Sequence, residues 1–238
     1  YSKEGDMFNR EHSFPKSWFG GKVSPMYSDI VHVVPCDGYV NNRRGHEPFG
    51  ETDGAVYKSN KGFSKLGASK TPGYTGKVFE PNDIYKGDFA RIYLYMATCY
   101  EDRISSWSCP MLAGNSYPAY KDWVIKMFLR WTANDPVSEK EINRNNAAYA
   151  VQKNRNPFVD YPGLEQYIWG DKQDVPFSYD NYGKPTGIYD IPTVEAPRIV
   201  RVYTISGTMV RTADSEANAL DGLNKGIYIV NGKKYVVN

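Results

Sequence analysis

Apolar and polar positions follow three rhythms along this chain, and each rhythm marks a region. Between about residues 86 and 170 apolar side chains return every three or four positions, the spacing of amphipathic helices. Asp88 is placed to cap the first helix, which carries Phe89, Ile92, Tyr93, Met96, Cys99 and Tyr100 on one face. A second helix follows Pro118, with Trp123, Val124, Met127, Phe128 and Trp131 as its stripe. A third starts at Ser138, where Ser138 and Glu141 form a capping box, and runs to about Lys153. A fourth, short, extends from near Pro162 to Gly170. These stripes build a core and need no cofactor to explain them.

The first fifty residues are dense in polar groups, Gly and Pro around one apolar run, Asp29 to Val34, which predicts a buried strand. Past Pro35, the stretch from Asp37 to Arg44 ahead of Gly45 predicts a short helix stopped by a glycine. Thr52 to Gly76, rich in Gly, Ser, Lys and Thr, reads as loop and short irregular strands. From Asp171 to Pro197 the texture turns to Pro, Gly, Asp and Tyr, the composition of a linker or wrap-around segment. After it the rhythm drops to a period of two in Ile199–Ser206, Thr208–Thr212, Gly226–Val230 and Lys233–Val237, with Asn231-Gly232 as a hairpin turn. The expected class is α+β, several packed helices followed by a small all-β appendage. The expected division is residues 1–176, a linker over 177–197 and a β-rich tail over 198–238.

Composition narrows this only a little. With 41% hydrophobic and 24% charged residues the chain has the balance of a soluble globular protein. Its 15% aromatic content, including 20 Tyr, is more typical of exported bacterial proteins than of cytoplasmic enzymes. No apolar run approaches the ~20 residues of a membrane helix, and nothing at the start reads as a signal peptide. The chain opens on Tyr1-Ser2-Lys3 shortly before its most informative motif, which leads us to expect further sequence upstream. A net charge of +2 is too mild to announce a polyanionic partner, so phosphate binding would need local clusters of Lys and Arg. Cys36, Cys99 and Cys109 have no zinc-like spacing; Cys99 and Cys109 could form a short disulfide or remain free thiols.

The histidines change the picture. All three, His12, His32 and His46, fall in one short segment together with Glu11, Asn41, Asn42, Arg43 and Arg44. Phosphodiester hydrolysis needs a base to activate water, positive charge on the phosphate and leaving oxygen, and groups that position the strand. Magnesium keeps several waters and asks for few oxygens from a protein; Glu11 and Asn41 can supply them, and His12 can be the base. Neighbouring side chains on a regular strand point to opposite faces, so Glu11 and His12 must sit at a strand end or bulge, where Phe14-Pro15 makes a break. Asn41 and Arg44, three apart, share a helix face, which would let Arg44 hold a phosphate oxygen.

The strings NREHSFPKSW (9–18), DIVHVVPCDGYVNNRRG (29–45) and PFGE (48–51) resemble the endonuclease I family of His-Me finger (ββα-metal) nucleases. The likeness continues in KGDFARIYLYMATCYEDR (86–103), in DPVSEKEINRNNAAYAVQKNRNPFVDYP (135–162) and in the helix ending at Trp169, covering about residues 6 to 170 in order. It implies a two-stranded ribbon and helix around one Mg²⁺, or Ca²⁺ or Mn²⁺, and hydrolysis of DNA and also of RNA with little sequence preference, leaving 5′-phosphate ends. It places His12 as general base and Glu11 and Asn41 as metal ligands, with Arg43 and Arg44 near the substrate. His32 supports the site or is a core histidine; Asn154 and Arg155 fall in a matching string or simply hold a helix end. Some relatives carry a long insertion with a phosphate-binding arginine where only Phe19 to Ser28 intervenes here. Lys16, Lys22 and Arg44 are therefore the candidates for the cation that stabilises product phosphate.

The tail, with VRVYTISGTMVR and LNKGIYIVNGKKYVVN, resembles the C-terminal sorting tails of a gram-negative secretion route, or is an ordinary β-appendage. The first alternative implies a secreted, periplasmic or surface protein met by secretion machinery. The competing function is a catalytically silent protein that binds nucleic acid or surface glycan through its tyrosines; intact Glu11, His12 and Asn41 favour the enzyme.

Overall fold

The computed structural model describes residues 1–180, 182, 200–204, 208–213, 215, 218–230 and 233–237. The chain divides into two compact units, Tyr1–Tyr182 and Gly183–Asn238, and the architecture is α+β. Most of the predicted linker and the Asn231-Gly232 turn lie outside the described residues.

In the first unit β1 (Phe8–His12) pairs antiparallel with β2 (Val33–Asp37), Phe8 opposite Asp37 and His12 opposite Val33. Helix α1 (Gly38–Arg44) follows at once, because the Asp37 carboxylate accepts from the Tyr39 and Val40 N–H groups. Gly45 ends it at φ 61, a backbone setting glycine adopts without strain. The buried strand expected over Asp29–Val34 is shifted toward the C-terminus. Asp29 is drawn inward instead, its carboxylate accepting from the Val31 N–H, from the Tyr95 and Tyr100 hydroxyls and from Gln152, which makes a turn where a ladder was expected. Pro35 fits inside β2 because a two-stranded ribbon leaves one side of each strand without a ladder partner.

Strands β3 (Tyr57–Ser59), β4 (Ser64–Ala68) and β5 (Lys77–Glu80) form an antiparallel sheet in sequence order, more regular than the composition suggested. Helix α2 (Lys86–Cys99) is the axis of the core. It is buried on nearly every side from Ala90 to Ala97, not along a single stripe, and Cys99, assigned to the stripe, is exposed. Asp88 does not cap it: α2 starts two residues earlier, behind a short turn capped by Asn82, so Asp88 lies inside the first helical turn. Beyond the one-turn α3 (Glu101–Ile104) come α4 (Asp122–Asn134), packed on α2, and α5 (Glu139–Gln152), which has the expected Ser138–Glu141 capping box. The one-turn α6 (Pro157–Asp160) and then α7 (Leu164–Ile168) complete the unit. Cys36, Cys99 and Cys109 are all free thiols.

The second unit is one antiparallel sheet of β6 (Val200–Thr204), β7 (Met209–Ala213), β8 (Gly226–Val230) and β9 (Lys233–Val237), in the order β7-β6-β8-β9. It has a small core of its own built on Val200, Val202, Ala219, Tyr228 and Val230.

Candidate active site

The ribbon and α1 together make a ββα unit, and the candidate side chains divide between the two faces of β1. Glu11 turns toward α1, where the Arg44 guanidinium donates to its Oε1 at 2.8 Å and the Asn41 side chain lies close enough to lower the pKa of the same carboxylate. Burial raises the Glu11 carboxyl above its ordinary value, while Arg44 and Asn41 pull it back down. Asn41 and Arg44 thus do share one helix face, and both address Glu11.

Arg44 is buried, with 4% of its side chain exposed. Besides Glu11 it donates to the Ser13 carbonyl at 2.8 Å and to the Tyr93 hydroxyl at 3.2 Å, and it lies 4.0 Å from the Phe49 ring centroid. Its posture is that of a clamp on the carboxylate, facing away from solvent. Tyr93, fully buried on α2, donates its own hydroxyl to the same Ser13 carbonyl, so the end of β1 is tied to the central helix.

His12, the last residue of β1, faces the other way. Its ring stacks on Tyr27 at 5.0 Å between centroids, and Nε2 sits 2.9 Å from the Tyr27 carbonyl. A carbonyl only accepts, so Nε2 is the nitrogen that donates here, and Nδ1 faces away from this bond. His32 packs 5.3 Å away and is fully buried, with Nε2 donating to the Met26 carbonyl at 2.6 Å. Burial lowers its pKa, which keeps the ring neutral, and among the described residues its buried Nδ1 has no hydrogen-bond partner.

Lys16 bridges the two halves. It is exposed, its charge lowers the Glu11 pKa, and its Nζ lies 5.8 Å from the Tyr27 ring that stacks on His12. Arg43 is exposed and rests over Tyr57 at 5.1 Å, while Lys22 is exposed on the turn that follows. Asn154 and Arg155 serve the end of α5: Asn154 donates to the Tyr95 hydroxyl at 2.6 Å, and Arg155 grips Asp160 with Nε and a second nitrogen, both at 2.7 Å.

Three residues that the sequence did not single out for the site also hold it. Asp29 fixes the 26–32 turn whose carbonyls orient His12 and His32. Arg144 on α5 donates to the Ile30 and Val33 carbonyls at 2.6 and 2.7 Å, securing the start of β2. Tyr93 was legible only as a member of a stripe. For Asp29 the one local signal is a charged residue beside an apolar run, whereas Arg144 stands among asparagines and carries none.

Glu11 and Asn41 offer one carboxylate and one amide oxygen side by side, hard donors that suit magnesium with most of its ligands drawn from water. A cation there would also offset the desolvation that Glu11 bears, so the donor set fits such an ion. Among the described residues no group of three or more His, Cys, Asp and Glu is placed to bind a metal. A cavity of about 820 Å³ lies behind the ribbon, lined in part by Val34, Cys36, Phe79, Phe89 and Ile92. Its lining includes neither Glu11 nor His12, so it is separate from the ribbon site.

A family profile described as Endonuclease I matches residues 1–163. The chain is 37% identical over 169 residues to a protein named extracellular ribonuclease from Bacillus amyloliquefaciens, an alignment covering 68% of this chain and 54% of that one. A protein of the same name from Bacillus subtilis (strain 168) gives the same identity and coverage. A protein named Endonuclease-1 from Buchnera aphidicola subsp. Baizongia pistaciae is 26% identical over 132 residues, 56% of this chain and 46% of its own. The chain spans about half the length of these curated relatives.

Proposed function

The chain belongs to the endonuclease I family, and from that premise we propose that it is a secreted, divalent-metal-dependent nuclease that hydrolyses phosphodiester bonds in DNA, RNA or both. The observation that carries this reading is a largely buried carboxylate beside an amide at one face of β1, with an imidazole anchored through Nε2 at the end of the same strand. Glu11 and Asn41 would hold Mg²⁺, with Ca²⁺ or Mn²⁺ as substitutes. When bound, the ion supplies positive charge that stabilises the phosphate and the leaving oxygen.

His12 takes a proton from water at Nδ1 while the Tyr27 carbonyl holds its Nε2–H. Arg44 keeps Glu11 ionised and aimed, in place of gripping the phosphate itself. Lys16, free of any ion pair among the described residues and near both Glu11 and Tyr27, is the better placed of the three candidate cations for the product phosphate. His32 acts as a neutral packing partner of His12, and Arg43 and Lys22 contribute charge toward a strand. Secretion is supported by the word extracellular in the names of two relatives, and residues 198–238 would serve as a sorting tail. No helix among the described residues is long and apolar enough to cross a membrane.

Nicking of supercoiled plasmid and degradation of a labelled RNA, each with Mg²⁺ and with EDTA, test the reading. Cleavage that EDTA abolishes is expected. Binding of either polymer without cleavage would instead identify the catalytically silent binder.

A further inference from the structure

The outward row of β1 has a composition that its pairing with β2 does not require. Phe8, Arg10 and His12 alternate with Asn9 and Glu11, so they occupy one face of the strand, away from Arg44. Phe8 is 74% exposed, and Arg10 is exposed with no ion pair among the described residues. Across the ribbon from Arg10 stands Pro35, exposed and without an N–H, and across from Phe8 stands Asp37, whose carboxylate is taken up by the Gly5, Tyr39 and Val40 N–H groups. Beyond His12 the line continues to Tyr27 and Lys16. Successive members of the row are ~7 Å apart along a strand, so Arg10 lies one step from His12 and Phe8 two.

We propose that this row is a single-strand subsite, in which Arg10 binds the phosphate next to the scissile one and the Phe8 ring stacks on an unpaired base. Arg10 within the row and Lys16 at its far end complement a polyanion, and the exposed ring at the near end offers a face that only a base outside a duplex can occupy. The proposal deepens the nuclease reading and rests on it for the position of the scissile phosphate.

The test is anisotropy of a fluorescent single-stranded oligonucleotide and of a blunt hairpin duplex in EDTA, across a salt series, for wild type, Arg10→Ala, Phe8→Ala and the conservative Arg10→Lys and Phe8→Tyr. We expect Arg10→Ala to weaken both ligands and to lower the salt slope by about one, with Arg10→Lys restoring the slope. Phe8→Ala should weaken only the single strand, by about tenfold, and Phe8→Tyr should recover it. With Mg²⁺ present, KM should rise more than kcat falls in both alanine variants. Wild-type affinity and slope in both alanine variants, or no binding of the single strand by wild type, overturns the subsite. Because binding is read without turnover, a wild type that binds in this pattern and never cleaves would sink the nuclease reading while leaving the row in place.

Discussion

At the scale of single residues, His12 is tied to the Tyr27 carbonyl through one nitrogen, which leaves the other for the base role proposed above. His12→Ala is therefore expected to cut turnover by about a hundredfold or more while leaving oligonucleotide affinity close to wild type; single-turnover kinetics with anisotropy checks it, and undiminished turnover would move the base elsewhere. Glu11→Ala or Asn41→Ala should abolish Mg²⁺-dependent cleavage and weaken Mg²⁺ binding in calorimetry, since each removes one of very few protein ligands. Arg44→Ala leaves a largely buried carboxylate without its counterion, an expected loss of up to about 3 kcal/mol in urea melts. Adding Glu11→Gln to that variant should recover part of the loss. The identities of Glu11, His12 and Asn41 as candidates were legible because reactive residue types crowd one segment. The posture of Arg44 was not, because its burial depends on Phe49 and on Tyr93, which arrives from the middle of α2.

At the scale of elements, what was legible is what neighbours in sequence decide. Asp37 and Gly45 bracket α1, and Ser138 with Glu141 starts α5, because capping bonds span only two to four residues. Ser138→Ala should cost about 1 kcal/mol in the same melts. The start of β2 was misplaced because Asp29 is satisfied by Tyr95, Tyr100 and Gln152, all distant in sequence. The single-turn α3 and α6 are too short to show a period.

Asp88, expected as a cap, instead joins α2 to α5 through Lys140. Burial pushes its pKa up to about 6 from an ordinary 3.8, against the pull of Lys140. Between pH about 4 and 6 the folded chain thus keeps a proton that the unfolded chain has released, so raising the pH through this window lowers stability. Thermal melts at steps across it should show a fall in Tm that Asp88→Asn removes; an equal fall in that variant would assign the dependence to another group.

At the scale of the whole molecule, the two units have separate cores. A chain ending at Pro197 is expected to keep both its nuclease activity and its main unfolding transition, while losing export or surface attachment in the producing cell. Aggregation or a much lower melting temperature for that chain would mean that the β-sheet protects the helices. Within the first unit the proposed reactive groups lie between residues 8 and 44, yet their placement is set by Tyr93, Tyr95 and Tyr100 near the middle of the chain, by Arg144 within α5, and by Gln152 and Asn154 at and just past its end. Arg144 alone gathers three carbonyls, those of Ile30, Val31 and Val33, at the entrance to β2. The ββα segment is for this reason no portable cassette: grafted onto another scaffold it would bring the carboxylate, the amide and the imidazole but not the collar that aligns them. Engineering this chemistry elsewhere means transplanting α2 and α5 along with it.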